Sequence, residues 1–187
     1  VGAQLVGALP DEGGLNAAQM LGGGLKAALL LGCEPGPDTR GVSLTGCDMV
    51  VTLSPFKSNL DVSDVLLPVA PFTETSGTFV NAEGRVQSFH AVVAPLGETR
   101  PAWKVLRVLS DLLQAGLPAF QTSQEVLAAA LGVADAKAVD RVPAERLDNR
   151  TAAPIRLDAG AVKLAPIGIY QLDGLVRRSP SLQLTTD

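Results

Sequence analysis

The chain of 187 residues carries 15 Lys and Arg against 19 Asp and Glu, a net charge of −4 with an isoelectric point near 5.0, and is 47% hydrophobic with a mean hydropathy of +0.26. That apolar content excludes a disordered chain and predicts one domain, or one domain with an appendage. The acidic balance, with no basic cluster beyond Arg177 and Arg178, excludes an electrostatic nucleic-acid binder.

No apolar run approaches the ~20 residues that cross a bilayer, and the N-terminus lacks a basic stretch followed by an apolar core. A soluble chain is expected, with any membrane association running through partners. The two cysteines, Cys33 and Cys47, are too few for a disulfide scaffold or a four-thiolate cluster and are expected as small buried hydrophobes. Val1 stands where a start methionine would, and the chain opens inside what reads as an α/β unit, so a piece of a longer protein is expected.

In chain order, Asn16 followed by Gln19 predicts a capped short helix, which Gly22, Gly23 and Gly24 stop. Residues 25–31 form a run that is apolar but for Lys26, the pattern of a parallel strand buried on both faces, and residues 49–53, apolar but for Thr52, form a second. Past these strands come Cys33, Glu34 and Pro35, then Ser54, Pro55 and Phe56. Open α/β sheets place ligand crevices at such positions, and ordinary strand-to-helix turns also occur there.

Residues 64–87 concentrate the candidate chemistry. A strand over 65–69, broken by Pro68, leads into a loop bearing Glu74, Thr75, Ser76 and Thr78. A hairpin follows, with Phe79 and Val80 expected to face Val86 across the turn Asn81, Ala82, Glu83 and Gly84. Gly84 is expected at positive φ, where a Cβ would cost ~1–2 kcal/mol.

Beyond the hairpin, Trp103, Leu106, Leu109 and Leu113 recur at helical spacing, with Lys104, Arg107 and Asp111 outside and Pro101 in the first turn. Thr122 and Glu125 announce a further helix that ends at Gly132. Residues 134–160 read as an exposed connector, and the tail regains apolar character around Arg177 and Arg178. That arginine pair reads equally as a handle for an acidic partner surface and as a solvated helix terminus.

The central segment resembles the molybdopterin oxidoreductase superfamily, in which a strand ending in Leu-Pro leads to Glu-x-x-Gly-Thr, then Asn-x-Glu-Gly-Arg and a Gln. These stand here as Leu67-Pro68, Glu74 to Thr78, Asn81 to Arg85, and Gln87. Upstream, Gly14-Leu15-Asn16-Ala17 and the stretch from Leu30 to Pro35, and downstream the stretch from Ile169 to Gln183, look like the G-subunit family of bacterial NADH:quinone oxidoreductase, respiratory complex I. Residues 115–160 are left unmatched.

The resemblance implies an α/β fold: the C-terminal half of a doubly wound parallel-sheet molybdopterin-oxidoreductase-like domain with a β-hairpin excursion, residues 1–114, then a mostly helical extension, residues 115–187. It implies a non-catalytic scaffold in the peripheral arm that carries electrons from NADH to quinone, within a proton-translocating complex. Its partners would be other peripheral-arm subunits, and its place the cytoplasmic face of the bacterial inner membrane. No cofactor is expected in this stretch, with iron–sulfur clusters upstream in the parent chain. Catalytic members of the superfamily follow the hairpin with a β-barrel domain, for which too few strand-like segments remain here.

The alternative is a piece of a catalytic molybdopterin-dependent oxidoreductase, of the formate dehydrogenase or nitrate reductase type, with Thr78, Asn81 and Arg85 at the pterin. Thr75 and Ser76 add hydroxyls there, and the same groups also serve to satisfy the backbone of a buried loop. Glu74 and Glu83 are an acid/base pair only if the loop brings them together. His90 is the sole histidine and, without ligand-type neighbours, predicts no metal site. Gly22, Gly23 and Gly24 lack the strand and helix context of a nucleotide loop, and no NADH site is expected.

Overall fold

A computed structural model describes residues 2–10, 12–39, 44, 46–134 and 168–185. The expected connector at 134–160 lies outside these apart from Ala134. The elements are α1 (Gly2–Leu5), α2 (Ala17–Leu21), β1 (Ala27–Leu31), β2 (Met49–Ser54), β3 (Val65–Pro68), β4 (Gly77–Val80), β5 (Val86–Phe89), α3 (Ala102–Leu113), α4 (Ser123–Leu131) and α5 (Pro180–Gln183), with short 3-10 turns between several of them.

Strands β1, β2 and β3 form a parallel sheet in that order, with Leu29, Val51 and Val65 in one row and Leu31, Leu53 and Leu67 in the next. The parallel α/β sheet and the antiparallel hairpin β4–β5 are those the sequence predicts. Pro68 sits in β3 without breaking a ladder bond. Val69 N donates to Ser54 O at 3.2 Å, so by alternation the proline nitrogen faces the open edge.

The expectation that β1 is buried on both faces is corrected. It begins at Ala27, and its alternate residues Ala27, Leu29 and Leu31 are exposed, because β1 is an edge strand and the described residues that bury Leu53 on that face do not extend over it. The opposite face is closed. The connection over 55–64 folds across it, with Ser63 Oγ 2.6 Å from Thr52 Oγ1 and buried Asn59 donating from Nδ2 to Cys33 O at 2.8 Å. Asp64 Oδ2 accepts from Val50 N at 2.7 Å, so both ends of the connection are tied to the sheet by side chains.

The caps follow the sequence closely. Asn16 and Gln19 exchange side-chain-to-backbone bonds of 2.9 Å each, and Thr122 Oγ1 accepts from Glu125 N at 3.2 Å. Glu125 reaches back one residue further than a simple capping box, accepting from Gln121 N at 2.8 Å. That bond, opposed by slight desolvation and helped by Thr122, holds its carboxyl below the usual range. Helix α3 departs in three details. Pro101 is its N-cap, and Arg107 turns inward to donate from Nη1 to Phe120 O at 2.9 Å while Leu113 is exposed beside the left-handed cap at Gln114. The loop after α3 is pulled back onto the helix by Ser110, whose Oγ accepts from Leu117 N.

In the hairpin the register is Val80 with Val86 and Phe79 with Gln87, which corrects the expected Phe79–Val86 pairing. Phe79 instead stacks on Phe89, ring centroids 4.9 Å apart, because residues two apart along a strand share a face. Asn81 Oδ1 accepts from Glu83 N and Arg85 N at 3.0 and 2.9 Å, which closes the turn and leaves Gly84 at φ +79°. Gly84→Val is therefore expected to destabilise the chain by ~1–2 kcal/mol, since a β-branched residue is strained in the left-handed region. Thermal unfolding checks this, and an unchanged midpoint contradicts the turn's role.

Candidate functional site

The carboxyl ends of β1 and β2 open onto a crevice of about 250 Å³ whose walls include Glu34, Ser54, Phe56, Phe72 and Gly174. Its geometry starts with the strand ends. Gly32 N donates to Leu53 O at 3.0 Å as the last bond of the β1–β2 ladder, β1 turns away at Gly32 with φ +59°, and Ser54 Oγ accepts from Phe56 N at 3.0 Å, which turns β2 back. Glu34 and Asp38 then fold into one helical turn, Glu34 N donating to Asp38 Oδ2 at 2.8 Å and Asp38 N to Glu34 O at 3.0 Å.

Two arginines from the far end of the chain close on these carboxylates. Arg177 Nη1 donates to Glu34 Oε2 and Arg177 Nη2 to Asp38 Oδ1, both at 2.7 Å, and Arg178 Nη2 pairs with Glu34 Oε1 at 2.8 Å. The Arg178 guanidinium also lies 4.0 Å over the Phe56 ring. The Glu34 side chain is 9% exposed and that of Arg177 11%, so this is a nearly desolvated charge network.

The tail is shaped to deliver those groups. Asp173 Oδ1 accepts from Leu175 N and Val176 N, which starts the 3-10 turn Val176–Arg178, and Gln183 Nε2 donates to Tyr170 O and Val176 O. The tail backbone passes the carboxylate at Gly174, where an added Cβ would stand 3.5 Å from Glu34 Oε1, an ordinary van der Waals contact. Arg178 Nη1 donates to Gly174 O at 2.7 Å, which ties the guanidinium to the backbone it follows.

Burial raises the Asp38 carboxyl, but the Glu34 N–H and the Arg177 guanidinium outweigh it and hold Asp38 below the ordinary range. Arg177 is correspondingly raised, chiefly by its bond to Asp38 and against desolvation. The folded chain thus binds fewer protons at Asp38 than the unfolded one. Its stabilisation is full above the unfolded value of about 3.9 and is lost as pH falls through the folded value. Asp38→Asn is expected to flatten the fall in urea midpoint between about pH 4 and pH 2, and an unaltered slope contradicts the assignment.

Chemically the crevice holds spent groups. Both carboxylates are paired, and the half-exposed Cys33 thiol is pushed up by burial, then by Asp38 and Glu34, which leaves it a poor nucleophile. Neither cysteine is fully buried, which corrects that expectation; the carbonyl of Cys33 and not its sulfur is the pinned group. No group of three or more His, Cys, Asp or Glu able to hold a metal occurs among the described residues.

The sequence-derived candidates do not converge. Thr78 Oγ1 lies 3.0 Å from Ser88 Oγ across the hairpin, Asn81 is used in the turn, and Arg85 is exposed at the hairpin end. Glu74 stands before β4 and accepts from Leu96 N at 2.9 Å, whereas Glu83 lies past the far end of that strand, whose four residues span roughly 13 Å. Ser76 Oγ accepts from Ala91 N at 3.4 Å, Thr75 bonds to the carbonyl of Ser76, and His90 is exposed just past β5. A pterin cofactor, implied by the fold family, is anionic at its phosphate. The described residues do not fit it: the crevice floor is a buried, already paired carboxylate, and the tail at Asp173, Gly174 and Leu175 stands in its mouth.

Sequence reasoning missed the network because Glu34 and Arg177 are 143 residues apart and no local spacing links them. Arg177 and Arg178 are neither a free handle nor a solvated terminus, since both are bound within the chain. Asn59 was also missed, having no partner type at helical or strand spacing.

Comparison with known proteins supplies relatives. The chain is 52% identical over 56 residues to the mitochondrial NADH-ubiquinone oxidoreductase 78 kDa subunit of Candida albicans, covering 30% of this chain and 8% of that protein. It is 41% identical over 58 residues to the NADH-ubiquinone oxidoreductase 75 kDa subunit of Reclinomonas americana, covering 31% and 8%. A longer similarity, 33% over 118 residues, is to the probable oxidoreductase YjgC of Bacillus subtilis, covering 58% and 12%. The chain thus spans between 8% and 12% of the length of these relatives. The molybdopterin oxidoreductase family model matches residues 1–112, the stretch that holds the parallel sheet, the Glu34 side of the crevice and the hairpin. By that match over more than half its length, the chain belongs to the molybdopterin oxidoreductase family.

Proposed function

We propose that this chain is the non-catalytic C-terminal portion of a G-type subunit of NADH:quinone oxidoreductase, serving as scaffold in the peripheral arm that moves electrons from NADH to quinone. The observation that carries the reading is the similarity of up to 52% identity to the 75 and 78 kDa subunits of NADH-ubiquinone oxidoreductase. In this reading residues 1–114 are the α/β domain and residues 115–187 an extension that reaches back to brace it. Neither part holds a catalytic, cofactor or metal residue, and the iron–sulfur clusters belong to the parent chain upstream.

The partners are other peripheral-arm subunits, on the cytoplasmic face of a bacterial inner membrane. Among the described residues no helix is long and apolar enough to cross a membrane, in keeping with a peripheral role. The longer similarity to a probable oxidoreductase favours a second reading, a piece of a molybdopterin-dependent enzyme with Thr78, Asn81 and Arg85 at the pterin. Its identity is lower, 33%, and those three residues are separated or spent on their own hairpin.

Purifying the intact parent protein with its native partners decides between them. The scaffold reading expects NADH-dependent quinone reduction to co-purify, with molybdenum and extractable pterin near zero per mole. Stoichiometric molybdenum without quinone reduction overturns it and installs the second reading.

A further inference from the structure

The crevice at the strand ends has a chemical preference of its own, independent of the role proposed for the parent complex. On one side stands Glu34, with both carboxylate oxygens turned to cationic nitrogen. On another stands the Phe56 ring at cation–π distance from a guanidinium carbon. Asp38 adds a second carboxylate at the rim. Carboxylate pair and aromatic face together form a receptor for planar, multiply donating cations. An ammonium satisfies the charge but neither the forked hydrogen bonds nor the stacking.

We propose that this crevice is a guanidinium-recognition site whose resident ligand is the chain's own Arg177 and Arg178. The tail is then a tethered ligand and not merely a packed terminus. Several details fit a ligand docked as a unit: the tail's internal bonds from Asp173 and Gln183 pre-shape the turn that presents the arginines, and the contacts to the sheet domain concentrate on Glu34, Asp38 and Phe56. Tethering raises the effective concentration of such a ligand, so a free competitor meets a filled site. The class of molecule that displaces the tail is an arginine-bearing peptide, and anions are repelled by Glu34.

The test uses the full chain and agmatine, a guanidinium on an apolar stem, as probe. Wild type is expected to show no agmatine binding by calorimetry or ligand-observed NMR. Arg177→Ala/Arg178→Ala is expected to bind it with a Kd of about millimolar, and 1,4-diaminobutane more weakly. Adding Glu34→Gln to that variant is expected to abolish binding. Agmatine binding to neither protein, or equally to both, overturns the proposal. Should the double variant fail to fold, Glu34→Gln alone supplies the answer through amide hydrogen exchange. The Arg177 and Arg178 amides, bonded to Asp173 O and Leu175 O, are expected to exchange about tenfold faster while β2 is unchanged. Unaltered exchange in the tail overturns it equally.

Discussion

Glu34→Ala is expected to lower the stability of the chain by about 3 kcal/mol, the lower end of the cost of breaking a buried ion pair from one side. The substitution removes the acceptor of two guanidinium bonds, of 2.7 and 2.8 Å, from a site where the carboxylate is 9% exposed. What remains is the larger part of the penalty. Arg177, 11% exposed, keeps Asp38 and the Gln171 carbonyl, so it is not stranded, and this places the effect at the lower end of the range. Arg178→Ala is the natural contrast. Its side chain is 32% exposed, and the loss should be ~1 kcal/mol or less. Urea unfolding of both variants checks this. The loss for Glu34→Ala cannot exceed the docking energy of the tail, because the tail can leave without separating the strands. A cost below that of Arg178→Ala would mean the network is a surface contact and the tail is held by something else.

What the sequence made legible here was local. The Asn16 and Thr122 caps, the positive φ of Gly84 and the apolar runs of β1 and β2 each depend on residues within a few positions of one another, where propensity and hydrogen-bonding rules act directly. The candidate site was legible only as a place. Strand ends in an open α/β sheet point to a crevice, but its contents come from position 177, and period or spacing carries no information over that separation. The misread register of Phe79 has the same origin at shorter range: turn residues were read correctly, while the pairing depended on where the ladder begins, which Asn81 sets by closing Asn81 N to Arg85 O at 3.1 Å. The expectation of a doubly covered β1 failed for a different reason. An apolar run reports what a strand needs, and the layer that would meet the need is not among the described residues.

That partly covered face gives Leu53→Ala its diagnostic value. Leu53 is 0% exposed in the central strand, in register with Leu31 and Leu67, and its carbonyl accepts the last β1–β2 ladder bond, from Gly32 N. Neighbouring strands bond it on both sides, so the backbone cannot collapse into the space left by three methyl-sized groups. Truncation should therefore cost about 3 kcal/mol, transfer energy plus cavity. Leu29 points to the same face one row away and is 53% exposed, so Leu29→Ala should cost well under ~1 kcal/mol in this chain. The pair of measurements, by urea titration with unchanged slope, separates two causes of apolar patterning on one sheet face. If both substitutions cost the same, the face is already closed in solution and the exposure of Leu29, Leu31, Met49 and Val65 is not that of the working protein. If they differ as expected, and the chain is part of the longer subunit proposed above, the same Leu29→Ala substitution in that protein should cost more than in this chain. An exposed row of leucine, methionine and valine on a parallel sheet is the side on which such a sheet is normally covered.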